Sequence, residues 1–130
     1  MNRILVVDDE PEIVSMLKRT LSLEGFEVEG VSRGKDALEM MKEKLFPIVI
    51  LDIRLPETSG PELLKKFRDI NPLVNVVMIT GYSSMDNVVD CLGGGAVDYF
   101  TKPLDMDLFV ETISQIDAKI DRWRKSIGMG

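Results

Sequence analysis

Histidine is missing from the 130-residue sequence altogether, and cysteine occurs once, at Cys91. Without histidine there is no Ser-His-Asp or Cys-His nucleophile system and no His-ligated zinc site. One cysteine cannot form an intrachain disulfide, which fits a reducing compartment. Cys91 reads as a small hydrophobe on a helix, not as a redox site. No run of about 18 apolar residues is present, so no membrane-spanning helix is expected. Met1-Asn2-Arg3 runs straight into a strand pattern and lacks the long apolar region and cleavage site of a signal peptide. The expected location is the cytoplasm. Basic residues are outnumbered, 16 against 22 acidic, for a net charge of −6. That balance argues against this chain gripping nucleic acid by itself, because phosphate contacts need clustered Lys and Arg. The composition is otherwise that of one ordinary globular domain with a single core.

What the sequence does contain is a strict alternation of apolar runs and helical patterns. Arg3-Ile4-Leu5-Val6-Val7 is a buried-strand signal ending in Asp8-Asp9. Pro11 suits a first helical turn, and Ile13, Leu17 and Leu21 recur at helical spacing until Gly25. Phe26 to Val31 alternates as a half-exposed edge strand. Ala37, Leu38, Met41 and Leu45 predict a second helix, and Ile48-Val49-Ile50-Leu51 a third part of the sheet, ending in Asp52. Ile53 to Gly60 reads as a loop punctuated by Pro56. Leu63, Leu64 and Phe67 then mark a helix closed by Asn71-Pro72, and Val76 to Ile79 a fourth strand ending in Thr80-Gly81. Val88, Val89 and Leu92 suggest a helix that must fail at Gly93-Gly94-Gly95. Val97 to Thr101 is a fifth strand leading into Lys102-Pro103, and a last helix runs from near Asp105 to about Lys125. Five βα units in alternation predict an α/β fold, a parallel sheet with helices on both faces. Continuous apolar strands are what such a doubly covered sheet needs.

Ligands of such sheets sit outside the carboxyl ends of the strands. Those ends carry Asp8-Asp9, Asp52, Thr80 and Lys102. Any one of them reads equally well as a polar strand end meeting water. All five together do not, because each is useful for phosphate or metal chemistry. If the first and third strands are neighbours, Asp8, Asp9 and Asp52 crowd negative charge into one cleft, which raises a pKa or demands a cation. A hard ion such as Mg²⁺ fits. Lys102 can hold a phosphoryl oxygen and Thr80 can donate to another. Asp52, backed by an apolar strand, is the most rigidly placed nucleophile, and its attack on phosphorus would form an acyl phosphate.

Ile4 to Glu10, Leu51-Asp52-Ile53-Arg54-Leu55-Pro56 with Gly60, Ile79-Thr80-Gly81 and Thr101-Lys102-Pro103 resemble the four signatures of receiver domains of two-component response regulators, in order and in spacing. The resemblance covers residue 3 to about residue 118. It implies a flavodoxin-like doubly wound (βα)5 fold with strand order 2-1-3-4-5. It implies that Asp52 is the phosphoacceptor, that Asp9, Asp52 and the Arg54 backbone carbonyl ligate Mg²⁺ directly, and that Asp8 acts largely through water. Lys102 then contacts the phosphoryl group, and a cis peptide before Pro103 aims it inward. Thr80 and Tyr99 match the switch pair, whose rearrangement would alter the face made by the fourth helix, fifth strand and fifth helix. Tyr99 also alternates with Phe100 by pleat alone, so packing is the alternative explanation, and it is the match to Thr80 that favours the switch. Arg54 and Tyr82 match positions that tune acyl-phosphate lifetime in the family, and both also suit solvated loops.

Two features depart from the family pattern. The triple glycine is richer than usual and carries a large ordering entropy, so residues 85–96 are expected among the least ordered of the unphosphorylated state, with crystallographic B-factors as the test. The last helix is longer than the fold needs. Phe109, Ile113, Ile116, Ile120 and Trp123 recur at coiled-coil-like spacing. The expected division is a receiver over 1–118 and a helical extension with a flexible tail over 119–130, serving as a linker to an output domain or as a homodimer contact. Lacking histidine, the chain needs a sensor histidine kinase or histidine phosphotransfer protein as donor. A metal-dependent phosphatase would carry a second aspartate where Arg54 stands and would need a cap. A flavin carrier would find Asp8-Asp9-Glu10 repelling its phosphate.

Overall fold

The five expected βα units are all present in the computed structural model, which describes residues 1–81 and 85–128. The chain runs β1 (Arg3–Val7), α1 (Pro11–Leu23), β2 (Glu27–Val31), α2 (Gly34–Glu43), β3 (Ile48–Asp52), β4 (Arg54–Leu55), β5 (Thr58–Ser59), α3 (Gly60–Ile70), β6 (Asn75–Thr80), α4 (Met85–Gly93), β7 (Asp98–Thr101) and α5 (Met106–Ser126). The main sheet has the order β2-β1-β3-β6-β7, and every pairing in it is parallel. Because β4 and β5 stand apart as a two-stranded antiparallel ribbon, β6 and β7 are the fourth and fifth strands of the sheet. The flavodoxin-like order 2-1-3-4-5 is thus the observed one.

Strand pleat divides the core in two. Leu5, Val7, Val49, Leu51, Val76 and Met78 pack with Ala37, Met41, Leu63, Phe67 and Cys91 on the face covered by α2, α3 and α4. The residues between them, Ile4, Val6, Ile48, Ile50, Val77 and Ile79, pack with Leu17, Leu21, Phe109, Ile113, Ile116 and Ile120 beneath α1 and α5. β1 and β3 are buried on both faces, which is why they read as unbroken apolar runs; β2 and β7 are edges, β2 half-buried along most of its length and β7 alternating.

Helix ends follow their local chemistry. Pro11 occupies the first turn of α1, and Gly25 closes it in the left-handed region at φ 99°. Ser59 and Asp105 cap α3 and α5 by accepting from Glu62 N and Leu108 N. α4 stops at Gly93. Gly95 then takes φ 104°, and the Arg68 guanidinium lies against it and donates to the Gly94 carbonyl at 3.2 Å. The triple glycine therefore has a steric role at Gly95, where any Cβ would collide with Arg68.

Two expectations are corrected. Leu45 is not on α2: the helix ends at Glu43, Lys44 is extended, and Leu45 is exposed while Phe46 turns into the core. Pro47 disfavours helical backbone just before it, and the chain must straighten to enter β3. The segment after Asp52 is not merely a loop, since Arg54 pairs with Ser59 and Leu55 with Thr58. The Glu57 carboxylate at the tip of this ribbon accepts from Gly34 N at 2.7 Å, satisfying a free donor at the start of α2.

Candidate functional site

Register delivers the acids to one place. Val7 pairs with Leu51, so the chain beyond β1 and the end of β3 bring Asp8 and Asp52 side by side at the carboxyl edge of the sheet. Each aspartate then makes the same local turn. Asp8 Oδ1 accepts from Glu10 N at 2.9 Å, and Asp52 Oδ1 accepts from Arg54 N at 3.0 Å. This side-chain to backbone turn, two residues on, is a habit of aspartate. It ties down one oxygen of each carboxylate and leaves the other, Oδ2, to face the cleft.

Lys102 meets both. Its ammonium lies 3.0 Å from Asp8 Oδ2 and 3.3 Å from Asp52 Oδ2, and 2.6 Å from Glu10 Oε1. The backbone brings it there: Lys102 N donates to the Thr80 carbonyl at 2.7 Å, and the Lys102–Pro103 peptide is cis. The Asp8 and Asp52 side chains are 0% and 6% exposed, whereas Glu10 is 55% exposed. Asp8 Oδ2 is near enough to Lys102 for an ion pair but poorly aligned, and it has no hydrogen-bond partner among the described residues.

Burial raises the Asp52 carboxyl above its ordinary value, and the charge of Asp8 adds to that. The hydrogen bond from Arg54 N and the nearby Lys102 oppose it without cancelling it. For Lys102, burial works against the charged form. Contacts with Glu10 and Asp8 and the field of Asp52 outweigh it and hold the ammonium well above its usual range. Lys102 is therefore a fixed positive charge at neutral pH.

Asp8, Asp9, Glu10 and Asp52 each offer a carboxylate oxygen, all within 4.8 Å of one another. Four carboxylates against one ammonium is an excess of negative charge in a cleft with low-dielectric walls. The donors are all hard oxygens, and one buried oxygen, Asp8 Oδ2, lacks a hydrogen bond. These residues fit Mg²⁺. Sequence reasoning singled out Asp8, Asp9, Asp52 and Lys102, and the structure brings these four together. It treated Glu10 only as part of a motif, and Glu10 proves to be the nearest partner of Lys102. No local signal marked it: Glu10 reads as an acid before a helix, and only the structure shows that it stands at the N-cap of α1 without making a side-chain cap.

Thr80 ends β6 fully buried, one residue past Ile79, which pairs with Asp52. Tyr99 pairs with Met78 and so shares its sheet face, that of α4, as pleat requires for Thr80 too. Tyr99 is exposed, while Phe100 turns to the opposite face and packs edge-to-face on Phe109. Tyr82 lies outside the described residues. No described helix is long and apolar enough to cross a membrane.

Known proteins share this sequence pattern and fold. The chain is 42% identical over 112 residues to the transcriptional regulatory protein ZraR of Klebsiella oxytoca, covering 86% of this chain and 25% of that one. It thus spans about a quarter of the length of such relatives. Among solved structures it superposes on the CheY-like response regulator receiver domain protein of Methanospirillum hungatei JF-1 with a TM-score of 0.85 at 34% identity, covering 94% and 98% of the two chains. It resembles equally the beryllofluoride-activated NtrC4 receiver domain dimer, with a TM-score of 0.85 at 33% identity over 89% of this chain and 96% of that one. The response regulator receiver domain profile matches residues 4–114. With its sheet order, its acid cleft and that match together, the chain belongs to the response regulator receiver domain family of two-component systems.

Proposed function

We propose that Asp52 accepts a phosphoryl group from a phosphohistidine of a sensor histidine kinase or a histidine phosphotransfer protein. The observation that carries this reading is the Asp52 Oδ2 oxygen, which faces the Lys102 ammonium at 3.3 Å within a cluster of four carboxylates while Oδ1 is held by Arg54 N. Asp52 Oδ2 attacks phosphorus as the donor's P–N bond breaks, and the imidazole leaves with the electron pair and takes up a proton. Lys102 neutralises charge on the transferring group. Asp9, Asp52 and the Arg54 carbonyl would hold Mg²⁺, with Asp8 reaching it largely through water. Bound there, the ion offsets the mutual repulsion of the carboxylates and of the incoming phosphoryl oxygens. The chain catalyses only its own phosphorylation and dephosphorylation and acts on no other substrate.

Thr80 donates to a phosphoryl oxygen, and Tyr99 moves toward the space this vacates, so that α4, β7 and α5 present a different surface. Val89 and Leu92 on α4 and Tyr99 on β7 are exposed on that side, ready for a partner. Residues 1–118 form the receiver and 119–130 its helical extension, a linker to an output domain or a homodimer contact. The extension is seated at its root, with Ile120 in the core, and more open at Trp123, which is exposed and carries the Lys119 ammonium over its ring at 5.1 Å. We place the protein in the cytoplasm, where the phosphodonor resides. Incubation with Mg²⁺ and acetyl phosphate, read by intact mass, tests the central claim. A gain of one phosphoryl group that Asp52→Asn abolishes supports it; a folded protein that gains nothing and binds no beryllofluoride refutes it and leaves a constitutive interaction module.

A further inference from the structure

Lys102 has three ammonium protons and, in the unphosphorylated protein, three carboxylates around it. A phosphoryl group on Asp52 turns Oδ2 into the bridging oxygen and places the new charge beyond it, so the ammonium must shift to follow that charge, and its remaining contacts resist the shift. The three are not equivalent. Asp8 is fully buried, and its facing oxygen has no other partner among the described residues, so losing Lys102 would strand a charge. Asp52 is the group that carries the phosphoryl. Glu10 makes the shortest contact, 2.6 Å, and is also the exposed one, so water can replace Lys102 at small cost.

Resting on the phosphoacceptor reading above, we propose that Glu10 is a positioning residue that competes with the phosphoryl group for Lys102. In the resting state its carboxylate draws the ammonium toward the mouth of the cleft, and phosphorylation proceeds only as that contact breaks. The backbone of Glu10 is anchored beside the cleft, which keeps its side chain within reach of Lys102. Its N–H is held by Asp8 Oδ1 and its carbonyl accepts from Ile13 and Val14 at the start of α1, so Glu10 cannot drift from the cleft. Glu10 therefore sets how readily the domain is phosphorylated without sharing in the acyl phosphate once formed.

Glu10→Gln and Glu10→Ala test this in the full chain. At saturating Mg²⁺, beryllofluoride should bind about two- to fivefold tighter to both variants, the range an exposed ion pair allows, with Ala at least equal to Gln. Phosphorylation by acetyl phosphate should speed up by a similar factor, while the decay of the acyl phosphate should keep its wild-type rate, because Lys102 has already left Glu10 in that state. A structural role for Glu10 would not split the two rates in this way. Mg²⁺ binding measured alone by calorimetry should not tighten. Unchanged or weaker beryllofluoride binding in variants that melt like wild type overturns the proposal. So does a large loss of Mg²⁺ affinity, which would make Glu10 a metal ligand, or an altered decay rate. If wild type itself neither binds beryllofluoride nor is modified at Asp52, the phosphoacceptor reading has failed, and the latch falls with it.

Discussion

Titrating Mg²⁺ into metal-free protein should raise its melting temperature logarithmically, and the slope follows from the size of the chain. An ion that binds the folded state only stabilises it by RT ln(1 + [Mg²⁺]/Kd), so each tenfold rise above Kd adds about 1.4 kcal/mol. Unfolding entropy scales at about 2.1 cal/mol/K per residue, which for 130 residues is about 0.27 kcal/mol/K. The expected slope is then about 5 °C per decade, and about 10 °C at a hundredfold excess over Kd. The structural reason is the formal charge of −3 left when one ammonium faces four carboxylates. Asp52→Asn should flatten the titration. In chelator, the same variant should melt no lower than wild type at neutral pH. Asp52 has its carboxyl pKa raised by burial and then by Asp8, so its ionised form opposes folding. That penalty grows as pH rises from the unfolded pKa, about 3.9, through the folded one, and is absent below both. The advantage of Asp52→Asn in chelator should accordingly vanish in acid. Differential scanning fluorimetry at matched ionic strength reads all of this. A wild-type melting temperature that ignores Mg²⁺, or rises equally in Asp52→Asn, would refute the metal reading of the cleft.

Further perturbations test the frame that holds the site. Ile120→Ala should cost about 2–4 kcal/mol in urea denaturation, because Ile120 is buried with Ile113 and Ile116; Trp123→Ala, at an exposed position, should cost less than about 1 kcal/mol. A small Ile120 effect would detach that turn from the core. Gly95→Ala should destabilise by about 1–2 kcal/mol, since it puts a Cβ at φ 104°, with the Arg68 guanidinium free to move aside; tolerance would mean that the backbone does not keep that φ. Cys91 is buried, and its thiol pKa is raised by that burial and then by Asp90, so the thiolate is scarce. Its labelling by a thiol-specific disulfide reagent at neutral pH should proceed only at the rate of unfolding, and fast labelling of native protein would count against that packing.

Much of this site was legible because parallel sheets concentrate function where strands stop. Ile4 to Val7 and Ile48 to Leu51 could be read as buried strands from their apolar continuity alone, and Asp8 and Asp52 then had to lie at their ends. Placing the two acids side by side required the strand order, which came from resemblance and not from periodicity. Ile120 and Leu45 mark the limits of pattern reading. Both sit at helical spacing, yet one is buried because α5 continues across the sheet, and the other is exposed because Pro47 ends the helical path. The β4–β5 ribbon was hidden because each of its strands has only two residues, too few for any period to show. Glu10 was hidden for a different reason. Its partner Lys102 is 92 residues away, and local sequence describes Glu10 only as an acid before a helix. Which carboxylate holds a lysine depends on rotamers and burial at the meeting of separate strand ends, and these exist only once the sheet is assembled. A cleft built this way has its chemistry specified by strand-terminal residues and its resting balance by their neighbours one residue further on. If Glu10 competes for Lys102 as proposed, exchanging that one residue should change how readily the domain is phosphorylated while the aspartates and the lysine stay in place.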